Sequence, residues 1–264
     1  MFVDSHCHLD FPELAGNLDA IRAAMADAKV DRALCISTTL EGFDAVHALA
    51  TAHANFWCSV GVHPDNEDVR EPSLDDLLAR AALPKVVAIG ETGLDYYRLG
   101  ERTVADMEWQ RERFRVHIAA SRATGKPLVV HTRSASDDTI AILKEAGEGA
   151  VGGVFHCFTE TEAVARAALD LGFHISFSGI LTFKAAEELR AVAAFVPLDR
   201  CLIETDSPFL APVPFRGKTN TPALVPHVAA KLAELKGLPI DDVAAATSAN
   251  FDRLFGVPRI AGCA

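Results

Sequence analysis

The sequence predicts an α/β protein of the (β/α)8 class, a TIM barrel built as a single domain, and three observations support this prediction. Short runs rich in β-branched and aromatic residues alternate along the chain with longer stretches of helical period, as parallel strands with right-handed crossovers do. The 264 residues provide eight such units, which fit a closed barrel in number and length. No glycine-rich phosphate loop follows an early strand, which disfavours the alternative of an open doubly wound sheet.

The predicted elements follow one another without a flexible linker. Strands are expected at residues 2–9, 32–38, 56–63, 86–94, 128–133, 153–158, 174–180 and 201–206. Helices are expected at residues 17–29, 41–53, 73–82, 103–124, 136–146, 160–171, 184–195 and 221–236, with a further helix at 239–254. In one of them, Ala163, Ala167 and Leu171 recur at helical spacing and define an apolar face. The proline-rich stretch 207–222 is too apolar for a disordered segment and is expected to form a shaped loop over a site.

Composition and charge exclude several classes of protein. Apolar residues make up 50% and charged residues 23% of the chain, as in ordinary globular domains. The net charge of −11 disfavours a protein that coats nucleic acid. It does not exclude an enzyme that binds a single end of a nucleic-acid strand. No apolar run reaches the roughly 20 residues of a bilayer span, and the first residues lack the features of a signal peptide. We therefore expect no membrane contact and no obligate protein partner.

The cysteines indicate a reducing compartment. They show no Cys-x-x-Cys spacing, and five of the six lie in apolar or strand-like runs, as reduced core cysteines do. A cytoplasmic protein is therefore predicted. The six residues are Cys7, Cys35, Cys58, Cys157, Cys201 and Cys263.

Two histidines lie at the end of the first predicted strand. His6 and His8 are two residues apart, so an extended strand directs both side chains to the same face. Two imidazoles placed in this way can bind one metal ion, whereas in an apolar core their ring nitrogens would lack partners. From the pair alone, two core histidines with satisfied hydrogen bonds explain the sequence equally well.

Other histidines and carboxylates follow later predicted strands. Each of them alone is more typical of a hydrogen-bonded or solvated strand end than of a metal ligand. In a barrel, however, the carboxyl ends of all strands meet at one face, where active sites lie. The residues expected to converge there with His6 and His8 are Glu91, His131, His156 and Asp206.

Four imidazoles and two carboxylates are more ligands than one tetrahedral ion takes. They suit two divalent ions about 3.5–4 Å apart with a bridging carboxylate. Without metal, the carboxylates would repel one another and the imidazoles would lack partners. The sequence therefore predicts two divalent metal ions, and donors of this kind accept Zn, Mg, Mn or Fe.

A collinear series of motifs extends from residue 2 to about residue 256. It consists of DSHCHLD, GVHP, GETGLDYY, VHTR, FHCF, SFSGI, ETDSPFLAP, RGKTN and SANFDRLF. The series resembles the TatD family of metal-dependent hydrolases, particularly its YcfH-like branch. That family belongs to the amidohydrolase-like barrels and includes metal-dependent deoxyribonucleases. The resemblance therefore implies hydrolysis of phosphodiester bonds, with DNA or another phosphodiester as the substrate.

The resemblance also implies a role for each predicted ligand. His6 and His8 would bind the first metal, together with Asp206, which would lie beside the nucleophilic water and accept its proton. His131 and His156 would bind the second metal.

Four acidic and aromatic positions complete this implied centre. Glu91 would bridge the two metals, and Glu204 matches an acid that would help to hold a further ion. Asp95 and Tyr96 are expected to orient the residues that bind the metals.

Four further residues are candidates for binding the substrate. His63 ends a strand before a proline and is either a contact to substrate phosphate or a capping histidine. Arg133, Arg216 and Lys218 are predicted phosphate contacts, because basic side chains and above all guanidinium groups match phosphate oxygens; the alternative for the loop pair is a solvated basic turn. The remaining histidines are expected to be structural: His47, His53, His117, His174 and His227.

Two other functions stay open. Barrels of this kind also hydrolyse esters, amides and lactones, and metal ligands do not specify the bond that is cleaved. The net charge of −11 favours such a small substrate, whereas the basic loop favours phosphate. A non-catalytic metal-bound scaffold is the third interpretation, and the complete ligand set disfavours it.

Overall fold

The structure, a computed structural model that describes residues 1–258, confirms the predicted barrel. Eight strands lie side by side in chain order, and every pair of neighbours is parallel. Cys263 lies outside the described residues, and the other five cysteines are free thiols. The strands are β1 (Phe2–Cys7), β2 (Val30–Cys35), β3 (Phe56–Val60), β4 (Val86–Asp95), β5 (Leu128–Arg133), β6 (Gly153–Phe155), β7 (His174–Phe177) and β8 (Cys201–Ile203).

Helices follow the strands and form the outer layer of the barrel, as predicted. No helix within residues 1–258 combines the length and apolarity needed to cross a bilayer. The α-helices are α1 (Pro12–Ala15), α2 (Leu18–Asp27), α3 (Phe43–Ala52), α4 (Leu74–Ala81), α5 (Glu108–Thr124), α6 (Ser136–Gly147), α7 (Glu162–Asp170), α8 (Glu187–Phe195), α9 (Val225–Lys236) and α10 (Ile240–Phe255).

The barrel closes between its first and last strands. The backbone N–H of Asp206 donates to the carbonyl of His6 at 3.0 Å, and that of His8 donates to the carbonyl of Ser207 at 2.9 Å. These bonds join the segment after β8 to the end of β1. Three predicted ligands, His6, His8 and Asp206, therefore belong to the seam itself.

Several strands end earlier than predicted, and this changes how the ligands are directed. His8 follows β1, His156 follows β6, and Asp206 lies three residues beyond the end of β8. Asp206 has a φ of 55°, in the left-handed region, so the alternation of an extended strand does not extend to it. The turn after β8, rather than the pleat of the strand, sets the direction of its carboxylate.

Apolar side chains fill the interior of the barrel at its amino end. Seven strands contribute one residue each to a single buried cluster, which only the inside of a closed barrel permits. Phe251 and Phe255 of α10 pack against this cluster, so α10 covers the base of the barrel. The strand residues are Val3, Leu34, Trp57, Ala88, Val129, Val154 and Leu202.

Helix α5 supports the segment that follows β3. The backbone N–H of Val62 donates to Nε2 of the fully buried His117 at 3.0 Å, and Nδ1 of His117 donates to the carbonyl of Arg113 at 2.8 Å. The Arg113 guanidinium also donates to the carbonyl of His63 at 2.8 Å. Burial lowers the pKa of His117 to about 4, so this imidazole is neutral at physiological pH. The pattern accords with the predicted structural role of His117.

Candidate metal centre

The six predicted ligands converge at the carboxyl ends of the strands, around the side chain of Glu91. Oε1 of Glu91 lies 2.7 Å from Nε2 of His156 and 3.3 Å from Nδ1 of His131. Oε2 of Glu91 lies 3.3 Å from Nε2 of His6. Glu91 is 2% exposed, so its two oxygens face two groups of imidazoles and almost no solvent.

His6, His8 and Asp206 form the first of these groups, here called the β1/β8 side. The Nε2 atoms of His6 and His8 are 3.2 Å apart, and Oδ1 of Asp206 lies 3.5 Å from the first and 3.4 Å from the second. Three donors from the two ends of the barrel sheet therefore meet within the reach of one ion. A ring nitrogen of His156 also lies close enough to His6 and Asp206 to share an ion with them.

His131 and His156 form the second group, here called the β5/β6 side, and each has a carboxylate behind it. Nε2 of His131 donates to Oδ2 of Asp95 at 3.0 Å, and Nδ1 of His156 donates to Oε1 of Glu204 at 3.3 Å. A proton on each outer nitrogen leaves the lone pair on the inner one, which is the tautomer that binds a metal. Asp95 thus has the orienting position that the sequence predicts, whereas the hydroxyl of Tyr96 is bonded to Asp138.

The β1/β8 side has no such carboxylates behind its histidines. Nδ1 of His8 faces the carbonyl of Ile36 at 3.3 Å, and Nδ1 of His6 is buried without a hydrogen-bond partner. Negative charge reaches this side directly, through Asp206.

His63 also reaches the centre, and its hydrogen bonds give it a different property. Nε2 of His63 lies 3.3 Å from Oε1 of Glu91, while its Nδ1 accepts a hydrogen bond from the backbone N–H of Asp65 at 3.1 Å. An accepting Nδ1 places the proton of the neutral ring on Nε2. His63 therefore presents an N–H donor to the centre rather than a lone pair for a metal.

Neighbouring imidazoles keep both central carboxylates ionised. Burial alone would raise the pKa of Glu91, but electrostatic interaction with the imidazoles of His156, His63 and His6 lowers this pKa well below its usual range. Burial likewise opposes ionisation of Asp206, and hydrogen bonding to His8 together with the charge of His6 lowers its pKa. Two negative charges are thus available inside the cluster at neutral pH.

The pKa shifts of the histidines differ between the two sides. On the β5/β6 side, carboxylates outweigh burial and raise the pKa of His156, through Glu91 and Glu204, and that of His131. On the β1/β8 side, burial and the charge of His156 lower the pKa of His6, whereas Asp206 raises that of His8.

The donor set fits divalent metal ions. Nε2 of His8 faces Nε2 of His6 at 3.2 Å, and Nδ1 of His131 faces Nε2 of His156 at 3.3 Å. Where the outer nitrogens hold the protons, lone pairs oppose each other at these distances, and a cation between them removes the repulsion. Imidazole and carboxylate donors suit zinc, manganese, iron and magnesium to different degrees.

Asp4 fixes the relative position of the two strands that carry the β1/β8 side. Its Oδ1 accepts hydrogen bonds from the backbone N–H of Thr205 at 2.9 Å and of His6 at 3.2 Å. Its Oδ2 accepts from the hydroxyl of Thr205 at 2.5 Å. Burial raises the pKa of Asp4 to about 7. The fully buried side chain of Asp4 thus links the backbone of His6 to Thr205, the residue before Asp206.

A cavity of about 710 Å³ lies over the cluster, and the basic residues differ in their relation to it. Arg133 lines the cavity, with its guanidinium 3.5 Å from the centre of the Tyr97 ring. Arg98, which sequence reasoning missed, lines it as well. The only available signal was a basic residue in the loop after β4.

Arg216 and Lys218 lie outside the lining of this cavity. The Arg216 guanidinium lies 3.6 Å from the centre of the Phe183 ring, and Nζ of Lys218 lies 5.8 Å from that of Phe215. Both side chains are exposed, so the structure leaves them apart from the other candidate substrate contacts.

The loop 207–222 has the ordered form that its composition indicates. The buried Asn220 donates to the carbonyls of Thr205 at 2.9 Å and Phe209 at 2.7 Å, which holds the two ends of the loop together. Phe209 and Leu210 consequently line the cavity over the cluster.

A parallel eight-stranded barrel with clustered imidazoles and carboxylates at its carboxyl end defines the class of metal-dependent barrel hydrolases. The family model described as TatD related DNase matches residues 3–256. The chain therefore belongs to the TatD family of metal-dependent hydrolases, and the resemblance of its motifs is confirmed.

Relatives of known sequence or structure agree with this assignment. The chain is 49% identical to the uncharacterized metal-dependent hydrolase YcfH of Escherichia coli K12, over 97% of this chain and 96% of that protein. It is 38% identical to the uncharacterized metal-dependent hydrolase YabD of Bacillus subtilis, over 97% and 100%. The crystal structure of YjjV, a TatD homologue from Escherichia coli K12, superposes with a TM-score of 0.90 at 32% identity, over 97% and 98%.

Proposed function

We propose that the protein is a deoxyribonuclease that hydrolyses phosphodiester bonds with two divalent metal ions. The observation that carries this proposal is the arrangement of donors on two sides of Glu91, at the bottom of a cavity lined by Arg98 and Arg133. Two sets of metal donors with one shared carboxylate suit the in-line displacement of an ester of phosphoric acid. The description of the family as related to DNases supports DNA as the substrate.

The two sides of the centre would each hold one ion. His6, His8 and Asp206 would hold the first, His131 and His156 the second, and Glu91 would bridge both. When bound, divalent ions of this kind lower the pKa of water and stabilise negative charge on phosphoryl oxygens.

Asp206 has the properties of a general base. Its carboxylate is ionised, and 16% of its side chain is exposed towards the cavity, compared with 3% for Glu91. Asp206 would therefore orient the attacking water and accept its proton as the new phosphorus–oxygen bond forms. The bond from phosphorus to the leaving sugar oxygen would break in the same step, and that oxygen would take a proton from solvent.

The walls of the cavity would bind the phosphate that is cleaved. Nε2–H of His63 would donate to one of its oxygens, and the guanidinium groups of Arg98 and Arg133 would neutralise its charge. Arg216 and Lys218 lie farther out, where they would contact phosphates that flank the scissile bond.

Hydrolysis of a small ester or lactone is the second candidate, and one observation favours it. Phe11, Phe209 and Leu210 form an apolar stretch of the cavity lining. An apolar wall close to metal ligands suits a small, partly apolar substrate as well as a nucleotide.

A nuclease assay on end-labelled DNA tests the proposal. Single-stranded and duplex DNA would be incubated with protein loaded with Zn, Mg, Mn or Fe, with and without chelator, beside an aryl phosphodiester, an aryl ester and a lactone. We expect the protein to cleave DNA and the aryl phosphodiester, and we expect the chelator to abolish both activities. Turnover of the ester or lactone alone would favour the second candidate, and no turnover of any substrate would favour a metal-bound scaffold.

We also propose that the enzyme acts in the cytoplasm. Cys7, Cys35, Cys58 and Cys201 are buried free thiols, and Cys157 is a partly buried one. Cysteines that form no disulfide bond are typical of proteins in a reducing compartment. Fractionation of cells with an antibody against the chain would test the location.

A further inference from the structure

A second cavity lies at the opposite end of the barrel from the metal centre. It has a volume of about 390 Å³ and is lined by His174, Asp199, Arg200, Arg253 and Leu254. His174 is the first residue of β7, and Arg200 immediately precedes β8, so both belong to the amino ends of strands. Leu254 belongs to α10, the helix that covers the base of the barrel.

His174 is a buried polar group with unused hydrogen-bonding capacity. It is 4% exposed, and neither ring nitrogen makes a hydrogen bond of good geometry. The backbone of Gly153 lies near the ring and acts to raise its pKa, but it does not satisfy either nitrogen. His174 pairs in register with Val154, whose side chain belongs to the interior cluster, so the imidazole faces the inside of the barrel base. An unsatisfied buried polar group is destabilising, so binding of a ligand by the imidazole would be favourable.

The two arginines of this cavity also have unused donors. Arg200 donates to the carbonyl of Gly172 at 3.2 Å, and Arg253 donates to the carbonyl of Asp199 at 3.0 Å and to the side chain of Asn250 at 2.7 Å. Neither guanidinium forms an ion pair with a carboxylate of residues 1–258, although most arginines in this range do. A guanidinium has five N–H donors, so most remain available to a ligand.

The charge of the cavity favours an anion. Arg200 and Arg253 supply two positive charges against the one negative charge of Asp199, in a chain whose net charge is −11. Burial and the two guanidinium groups lower the pKa of His174 to about 4, so the ring is neutral and offers one N–H donor. An anion here would meet two cations and a neutral donor without the cost of protonating the imidazole.

We propose that this cavity binds a small oxyanion of the phosphate class. The guanidinium groups of Arg200 and Arg253 contact its oxygens, and the imidazole of His174 donates an N–H to it. The ligand is either inorganic phosphate or the phosphate of a nucleoside monophosphate, for which the volume leaves room. Nothing in this site contributes to the metal centre, so the inference does not depend on the proposed function.

The imidazole of His174 provides a direct probe of binding. Zinc-loaded protein would be titrated with sodium phosphate at constant ionic strength, and the ring ¹H–¹⁵N signals of His174, assigned with H174Q, would be followed. We expect these signals to shift and to saturate in the millimolar range. Removal of both charge-assisted contacts in R200A/R253A should weaken binding by about tenfold or more.

Arg190→Ala is the matched control, because the Arg190 guanidinium also donates only to carbonyls, those of Phe183 and Lys184, and lies outside the cavity. It should bind phosphate as the wild type does. A nucleoside monophosphate that binds more tightly than phosphate would identify the nucleotide as the ligand, whereas equal affinity would identify free phosphate. His174 signals that stay in place up to tens of millimolar phosphate, while those of the metal-centre histidines move, would overturn the proposal. An unchanged response in R200A/R253A would overturn it as well.

Discussion

The two sides of the metal centre obtain their negative charge in different ways. On the β1/β8 side, Asp206 lies 3.4–3.5 Å from the histidine nitrogens and carries the charge itself. On the β5/β6 side, Asp95 and Glu204 lie behind His131 and His156, and their charge acts through the imidazole rings. Glu91 faces both sides, with one oxygen towards each.

This difference indicates a division of labour. A carboxylate behind a histidine fixes its tautomer and raises its basicity, which favours firm binding of an ion. A carboxylate beside the ion, partly accessible from the cavity, is also able to accept a proton from water. In the proposed two-metal enzyme, the β5/β6 side would therefore retain its ion, and the β1/β8 side would carry out the chemistry.

The largest expected effect belongs to Asp206→Asn, which removes the proposed general base of the β1/β8 side but keeps one ligating oxygen. Turnover should fall by roughly 10²–10⁴-fold, while KM changes little and at least one ion stays bound. Measurement of kcat, KM and metal content on the same sample tests this. Near wild-type turnover with full metal would remove Asp206 from catalysis, and loss of all metal would make it only a ligand.

The pH dependence of metal binding should differ between the two sides. The pKa values of His131 and His156 are raised, and both must lose protons to bind an ion, whereas on the other side only that of His8 is raised. At pH values below these pKa values, the β5/β6 side releases up to two protons on binding an ion, so its affinity for metal should rise by up to about a hundredfold per pH unit. The β1/β8 side releases one proton, so its affinity for metal should rise by about tenfold per pH unit. Calorimetric titration with zinc at several pH values, in buffers of different ionisation enthalpy, measures the protons released. Equal slopes for the two binding events would contradict the comparison.

The carboxylates behind the histidines provide the next test. Asp95→Asn and Glu204→Gln should each weaken the binding of one ion by about 10–100-fold and leave the other ion in place. Competition with a chromogenic chelator would measure both affinities. Glu188→Gln, an exposed glutamate of α8, is the matched control and should behave as wild type. A uniform loss of both ions would show that the two sides act as one unit.

The smallest effect is expected for His63→Gln. Its Nε2–H donor is proposed to bind the substrate and not the metal, so KM for an aryl phosphodiester should rise about tenfold, as for the loss of one hydrogen bond to a charged group. Metal content and its pH dependence should not change. Loss of an ion in this variant would instead place His63 among the ligands.

The sequence predicts the barrel and the six central residues because both follow from periodicity and from where strands end. His6 and His8 meet as their spacing of two residues predicts, although His8 follows the last residue of β1. Asp206 reaches the same point for another reason, since it follows a turn with positive φ that strand alternation does not anticipate.

Other features depend on contacts between distant segments, which a single sequence does not specify. The tautomer of His63 is set by the backbone N–H of Asp65, and that of His156 by Glu204, which is 48 residues farther along the chain. Arg98 reaches the cavity, whereas Arg216 rests on Phe183, because loop geometry and not residue type decides where these side chains lie.

The hydrogen bond between Thr205 and Asp4 joins residues 201 positions apart in the sequence, so it forms late in protein synthesis. A ribosome makes the histidine pair of β1 long before it makes the carboxylate that faces it. Until β8 has emerged and closed the seam, the nascent chain holds only part of the donor set. Hydrolytic activity therefore requires almost the whole barrel to have been translated, because the donor set is complete only when the seam is closed.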